Sequence, residues 1–193
     1  ERDWSSDVCS SDLENMAKKK DTSIRIVGAF ALVLGIVAFC MMFVAAATYD
    51  GFGSGILEVF GLETSLTGAQ IAFGYKSGDM QVLNFNIVAF LGFFLPLIGG
   101  VLALLFKNGL ITKIVTTGCF VAGAVMLFTI VASLDVGFLS TESEGFNNQL
   151  QQLYDLIKEN FVLGAGAIAG GVLSIVGAVV CFFKGTIAKI FSK

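Results

Sequence analysis

Cys40, Cys119 and Cys181 sit inside long apolar stretches of this chain together with the hydroxyls of Thr116, Thr117, Thr129, Ser133 and Ser174. Such side chains could do nucleophilic chemistry. A thiol or hydroxyl nucleophile needs a base beside it. The chain has no histidine, and the apolar stretches hold no Asp, Glu, Lys or Arg. That composition also removes the usual material for proton relays, intramembrane metal sites and voltage sensing. No two cysteines stand at C-x-x-C spacing, unlike the four-helix membrane oxidoreductases that pass disulfides to quinones, and cysteines without histidine make a poor metal site. Cys181, beside Lys184, is a candidate for acylation or a small buried hydrophobe. Glu142 and Glu144 fit a solvated loop. No enzymatic activity, catalytic residue, metal or cofactor is expected.

The elements that would position these groups are four apolar runs: Ile26 to Thr48, Ile87 to Phe106, Ile114 to Leu134 and Phe161 to Phe183. At about 1.5 Å per residue each covers roughly 30 Å of hydrocarbon. Mean hydropathy is +0.84, and 14% of residues are charged. Soluble domains run near a quarter charged, so the expected fold is an all-α membrane protein, a four-transmembrane-helix bundle. The first run follows Lys18, Lys19 and Lys20 and carries Ala45-Ala46-Ala47 near its end, basic residues and a small-residue site that a signal peptide would share. Its length exceeds the roughly 7 to 15 apolar residues of a signal-peptide core, so it is expected to remain as a helix.

Charge sorts the segments between the runs. From Met16 onward the first, third and fifth polar segments carry nine basic residues against Asp21 alone, whereas residues 49–86 and 135–160 carry Lys76 and Lys158 against nine acidic ones. Lys and Arg near span ends stay on the cytoplasmic side. The expected placement is therefore multi-pass in the cell (plasma) membrane, with amino and carboxyl termini cytoplasmic and 49–86 and 135–160 as outer loops. The basic residues are few, dispersed and juxtamembrane, so nucleic acid is not an expected partner. The lipid bilayer is.

Within the runs the clearest pattern is Gly166, Gly170, Ser174 and Ala178, a stripe of small side chains every fourth residue along roughly 18 Å of helix. Gly118 and Ala122 repeat it, as do Ala31 with Gly35 and Gly99 with Ala103. Such faces let helix backbones approach, within one bundle or across a homo-oligomer seam. Pro96, the only proline, leaves the carbonyl of Gly92 without its usual partner and bends the helix, as a shape feature or as a hinge.

The first outer loop is glycine-rich. Ile71, Phe73 and Tyr75 alternate with Gln70, Ala72 and Gly74, Lys76-Ser77-Gly78-Asp79 supplies a turn, and Met80, Val82 and Asn84 alternate again, which predicts a β-hairpin or small sheet. Its aromatic face, Ile71, Phe73 and Tyr75, is a candidate surface for a membrane-protein partner or an interfacial anchor. In the second loop Leu150, Leu153, Tyr154 and Ile157 recur at helical spacing and predict an amphipathic helix over 147–160.

Two resemblances bear on this reading. Residues 3–13, DWSSDVCSSDL, resemble the in-frame translation of a common sequencing adapter, which implies an assembled environmental sequence of bacterial source. On that reading residues 1–15 are a non-native or disordered tail, and 16–193 form a single four-helix domain beginning at Met16. Four spans, internal termini and a longer first outer loop with strand character resemble the claudin-type tetraspan layout, and more generally small four-helix membrane proteins of Gram-positive and related bacteria. The claudin family's Trp-Gly-Leu-Trp and paired outer cysteines have no counterpart here, so no residue carries over. The expected function is a non-enzymatic structural, accessory or sensing component of a membrane assembly. The alternative is a small transporter or channel component for a neutral or apolar solute, with Pro96 supplying a mobile element.

Overall fold

The computed structural model of the chain describes residues 4–51, 63–77, 80–106, 109–134 and 159–191. The expected helix over 147–160, Glu142, Glu144 and the turn residues 78–79 fall outside these or largely so. Among the described residues, four helices are long and apolar enough to cross a membrane, with the candidate spans Thr22–Phe43, Ile87–Leu105, Leu110–Phe128 and Ala165–Phe182. The chain runs α1 (Trp4–Cys40), a 3-10 turn (Met41–Phe43), β1 (Ala45–Tyr49), β2 (Ser65–Thr67), α2 (Gly68–Phe73), β3 (Tyr75–Ser77), β4 (Met80–Leu83), α3 (Ile87–Leu105), α4 (Leu110–Phe128), β5 (Phe161–Leu163), α5 (Ala165–Phe182) and α6 (Lys184–Phe191). Helix α1 packs on α3, α3 on α4, α4 on α5 and α5 on α1, closing a four-membered ring.

The spans differ from the sequence expectation mainly at one end of the bundle. Run one was expected to be helical to Thr48, yet α1 stops at Cys40 and residues 45–49 become the central strand of a three-stranded antiparallel sheet, ordered β2-β1-β5. Run four was expected from Phe161, yet 161–163 is β5 and α5 starts at Ala165. The two changes are one event. Thr48 pairs with Val162 and Tyr49 with Phe161, and Gly164 N–H donates to Ala46 O at 2.8 Å, so the strands satisfy each other's main-chain groups where both helices would otherwise have to end. Run three ends early for another reason. Thr129 Oγ1 donates to the carbonyls of Val125 (3.0 Å) and Met126 (3.2 Å), and the chain continues from Phe128 only as turns to Ser133. Hydroxyls that compete for helical carbonyls in this way favour helix ends.

The expected hairpin is also redrawn. Ile71 and Phe73 lie on helix α2, and the antiparallel pair is the shorter β3 with β4, Tyr75 opposite Leu83. Thr67 explains the helix: its Oγ1 accepts from Gln70 N–H at 3.2 Å, while Gln70 Oε1 accepts from Thr67 N–H at 2.8 Å. This reciprocal capping box nucleates α2, and Gly74, at φ +84°, ends it in a conformation that disfavours a side chain. Upstream of the first span, helix α1 continues back to Trp4.

Candidate functional site

Helix α5 turns its small face into the bundle. Gly166, Gly170, Ser174 and Ala178 are all buried, and they are joined by Gly171 and Gly177. A Cβ added at Gly166 would stand 2.8 Å from both Met41 O and Val44 O, and one at Gly177 2.5 Å from the Phe120 ring. The expected stripe thus packs against α1 and α4 of its own bundle. Ser174 does not open a polar path there, since its Oγ donates to Gly170 O at 2.7 Å. Thr116 Oγ1 is likewise held by Thr112 O at 2.8 Å.

The α1–α3 contact is as close. A Cβ at Gly35 would lie 2.6 Å from Pro96 O, one at Gly28 2.7 Å from Ala103 O, and one at Gly100 2.8 Å from Leu32 Cα. Pro96 is fully buried, and on its other side a Cβ at Gly123 would meet its ring carbons at 2.7 Å. The proline is therefore wedged between a glycine of α1 and a glycine of α4, inside a helix continuous from Ile87 to Leu105.

Gly118 and Ala122 do not join this seam. Gly118 is exposed with nothing within 4 Å of its Cβ position, and Ala122 is half-buried. The inward face of α4 is instead Thr116, Phe120, Gly123, Ala124 and Leu127. Helical periodicity puts 116, 120, 123 and 127 on one side, which turns 118 and 122 away. Phe120 and Leu127 are buried on that side together with Gly123 and Ala124, while Phe128 on another side is exposed.

Among the chemistry-bearing groups, Cys181 interacts with Thr116, Lys184 and Cys119. Cys40 is exposed and Cys181 buried, and among the described residues no three His, Cys, Asp or Glu side chains come close enough to hold a metal. Thr117 Oγ1 is the one buried side-chain oxygen or nitrogen without a partner among the described residues. It borders a groove of about 440 Å³ between α4 and α5, lined by Val121, Val125, Ile175 and Val179 and open at the bundle's side.

Of the three residues expected on an outer aromatic surface, Ile71 is buried at 1% exposure, Tyr75 is half-buried and Phe73 is exposed. Phe73 instead belongs to a run of rings that sequence periodicity did not single out. Its centroid lies 5.8 Å from that of Phe90, which also contacts Phe85 at 5.9 Å, stacks on Phe94 at 4.2 Å and so leads to Phe39, 5.0 Å further. The i, i+4 spacing of Phe90 and Phe94 was the readable signal.

At the opposite end Lys184 is buried at 5% exposure and donates to the main-chain carbonyls of Ala103 and Phe106, the last turn of α3 and its cap. A cation suits a helix C-terminus, where carbonyls lack intrahelical partners. What this geometry offers is shape: a ring of four closely packed helices, a sheet and ring cluster at one end, and a cationic clasp at the other. No protein-family model, no curated protein and no solved structure matches the chain.

Proposed function

We propose that this chain is a multi-pass protein of the cell membrane, with four crossings and both termini cytoplasmic, acting as a non-enzymatic structural, accessory or sensing component of a membrane assembly. Membrane placement is supported by an inversion of side-chain size. On α5 the buried residues are Gly, Ala, Ser and Cys, while Ile168, Val172, Ile175, Val179 and Phe182 are exposed. A helix in water would bury the large apolar groups and expose the polar ones. A helix in lipid gains nothing from hiding them and packs through small residues. The orientation rests on the nine-to-two division of Lys and Arg between the two sides.

The observation that carries the structural reading is the seam itself. Gly35 against Pro96, Gly123 against the Pro96 ring and Gly177 against Phe120 leave backbone and ring in contact through the middle of the bundle, where a solute path would need room. Phe93, Phe120 and Leu127 fill the remaining interior. A bacterial tetraspan whose layout is claudin-like, a packed bundle beneath a small sheet, fits a scaffold better than a conduit.

Extraction in mild detergent and size measurement under native conditions test the proposal. Elution with further protein, or as a homo-oligomer, is the expected result. A solitary chain that carries a measurable solute flux in liposomes would overturn it.

A further inference from the structure

We infer that α2 and the Phe85 turn form a foot that rests in the outer leaflet, with Phe73 and Phe85 immersed among lipid chains and Lys76 at the level of the lipid phosphates. The inference builds on the membrane placement proposed above and, for a segment whose sequence left partner surface and interfacial anchor both open, places Phe73 with Phe85 among lipid chains.

Depth carries the argument. Helix α3 has 19 residues, about 28 Å at 1.5 Å per residue. The hydrocarbon it must cross is about 30 Å thick, and any tilt shortens its reach further. Its first turn therefore has no length to spare above the hydrocarbon boundary. Phe90 is the fourth residue of that helix, and the rings of Phe73 and Phe85 lie 5.8 and 5.9 Å from it. Both rings are thereby held at the depth of the first turn. Each is 55% exposed, and Ile87, the first residue of α3, is exposed as well.

Main-chain polar groups entering that region must be satisfied from within, and α2 meets the requirement at both ends. Thr67 and Gln70 cap one end, Gly68 N–H donates to Val44 O at 3.3 Å, and Ala72 O accepts from Asn86 N–H at 3.1 Å. Gly74 then reverses the chain toward Lys76, which is exposed. Lys76 is one of only two basic residues in the two outer segments, against nine acidic ones. A lone exposed ammonium directly after an exposed ring cluster complements the phosphate layer of a lipid surface.

Tryptophan quenching in vesicles tests the inference. In a Trp4→Phe background, which removes the only native tryptophan, Phe73→Trp and Phe85→Trp are each reconstituted at low density in phosphatidylcholine and phosphatidylglycerol vesicles. Ile98→Trp, at an exposed position further along α3, reports membrane insertion alone. The expected result is blue-shifted emission from positions 73 and 85, quenched more strongly by bromines high on the acyl chain than by bromines near its end, and shielded from aqueous iodide. Iodide quenching at 73 and 85 with lipid quenching retained at 98 would overturn the foot while leaving the membrane placement intact. Lipid quenching absent from all three positions would overturn both. Emission at 73 and 85 shielded from iodide and bromine alike would show protein covering the rings, a second copy included, and would also overturn the foot.

Discussion

Lys184 Nζ donates to the main-chain carbonyl of Ala103, joining the first residue of α6 to the last turn of α3 across 81 positions of sequence. The ammonium reaches Phe106 O as well, at 3.4 Å. Charge-assisted hydrogen bonds of this kind contribute about 1.5–3 kcal/mol where they are buried. Lys184→Ala removes both donors and the packed stem, and is expected to lower stability by about 2 kcal/mol. Unfolding in mixed detergent micelles measures it. A loss near zero would mean that water readily replaces the clasp.

The same lysine makes stability depend on pH. Burial pushes the Lys184 ammonium below the ordinary lysine range, because leaving water disfavours the charged form. The folded state thus holds this proton less tightly than the unfolded chain, where lysine titrates near about 10.4. Between the lowered folded value and the ordinary one the unfolded chain binds more protons, so stability rises with pH through that window and is flat below it. Lys184→Met keeps an apolar stem without a titrating group, and its stability curve is expected to lack this alkaline rise. Equal slopes in the two proteins would assign the rise to other groups.

Two glycines on one helix face opposite surroundings. A methyl at Gly123 would press on Pro96 carbons at 2.7 Å and on Gly92 O at 3.1 Å, whereas at Gly118 it would meet nothing within 4 Å. Gly123→Ala must part α3 from α4 and is expected to cost about 1–3 kcal/mol, the range for overpacking. Gly118→Ala is expected to be neutral or stabilising by up to about 1 kcal/mol, through reduced backbone freedom in the unfolded chain. Detergent unfolding of the pair distinguishes them. Equal effects would deny that α4 presents its 120–123–127 side to the bundle.

That contrast shows where sequence reasoning reached and where it stopped. Four charge-free apolar runs are long-window signals, and each holds a long helix, although three of the four helices leave part of their run to strands or turns. The small-residue stripe of α5 was readable because six small residues share one face. On α4, small residues occur on both sides, and which of them turns inward is set by the fit of Gly123 against Pro96, a contact between helices that no local pattern announces. The sheet was invisible for a related reason. Ala45–Tyr49 and Phe161–Leu163 are apolar enough to extend their helices, and their strand state exists only through mutual pairing between segments more than a hundred residues apart. Alternation of Ile71, Phe73 and Tyr75 misled because a three-residue pattern is compatible with either period, whereas Thr67-x-x-Gln70 was a readable capping signal. Lys184 read as one more juxtamembrane cation, since nothing local announces that α3 ends beside it.

Asn86 closes the sheet end of the bundle as Lys184 closes the other. Its Oδ1 accepts from Val88 N–H at 2.9 Å and Ala89 N–H at 3.1 Å, capping α3, while its Nδ2 donates to Ser133 O and, at 3.1 Å, to Ser133 Oγ beyond α4. Asn86→Ala uncaps one helix and frees the turns that follow another, so about 1–2 kcal/mol is expected, a cap of about 1 plus the lost hydrogen bond to the half-buried Ser133 carbonyl. Ser133→Ala leaves the main-chain acceptor in place and is expected to cost less than about 1 kcal/mol. Because both act on one contact, the double variant should fall no further than Asn86→Ala by more than a few tenths of a kcal/mol. Full additivity in detergent unfolding would show that the two side chains contribute separately, and that Asn86 is a local cap without a role in holding α3 to the turns after α4.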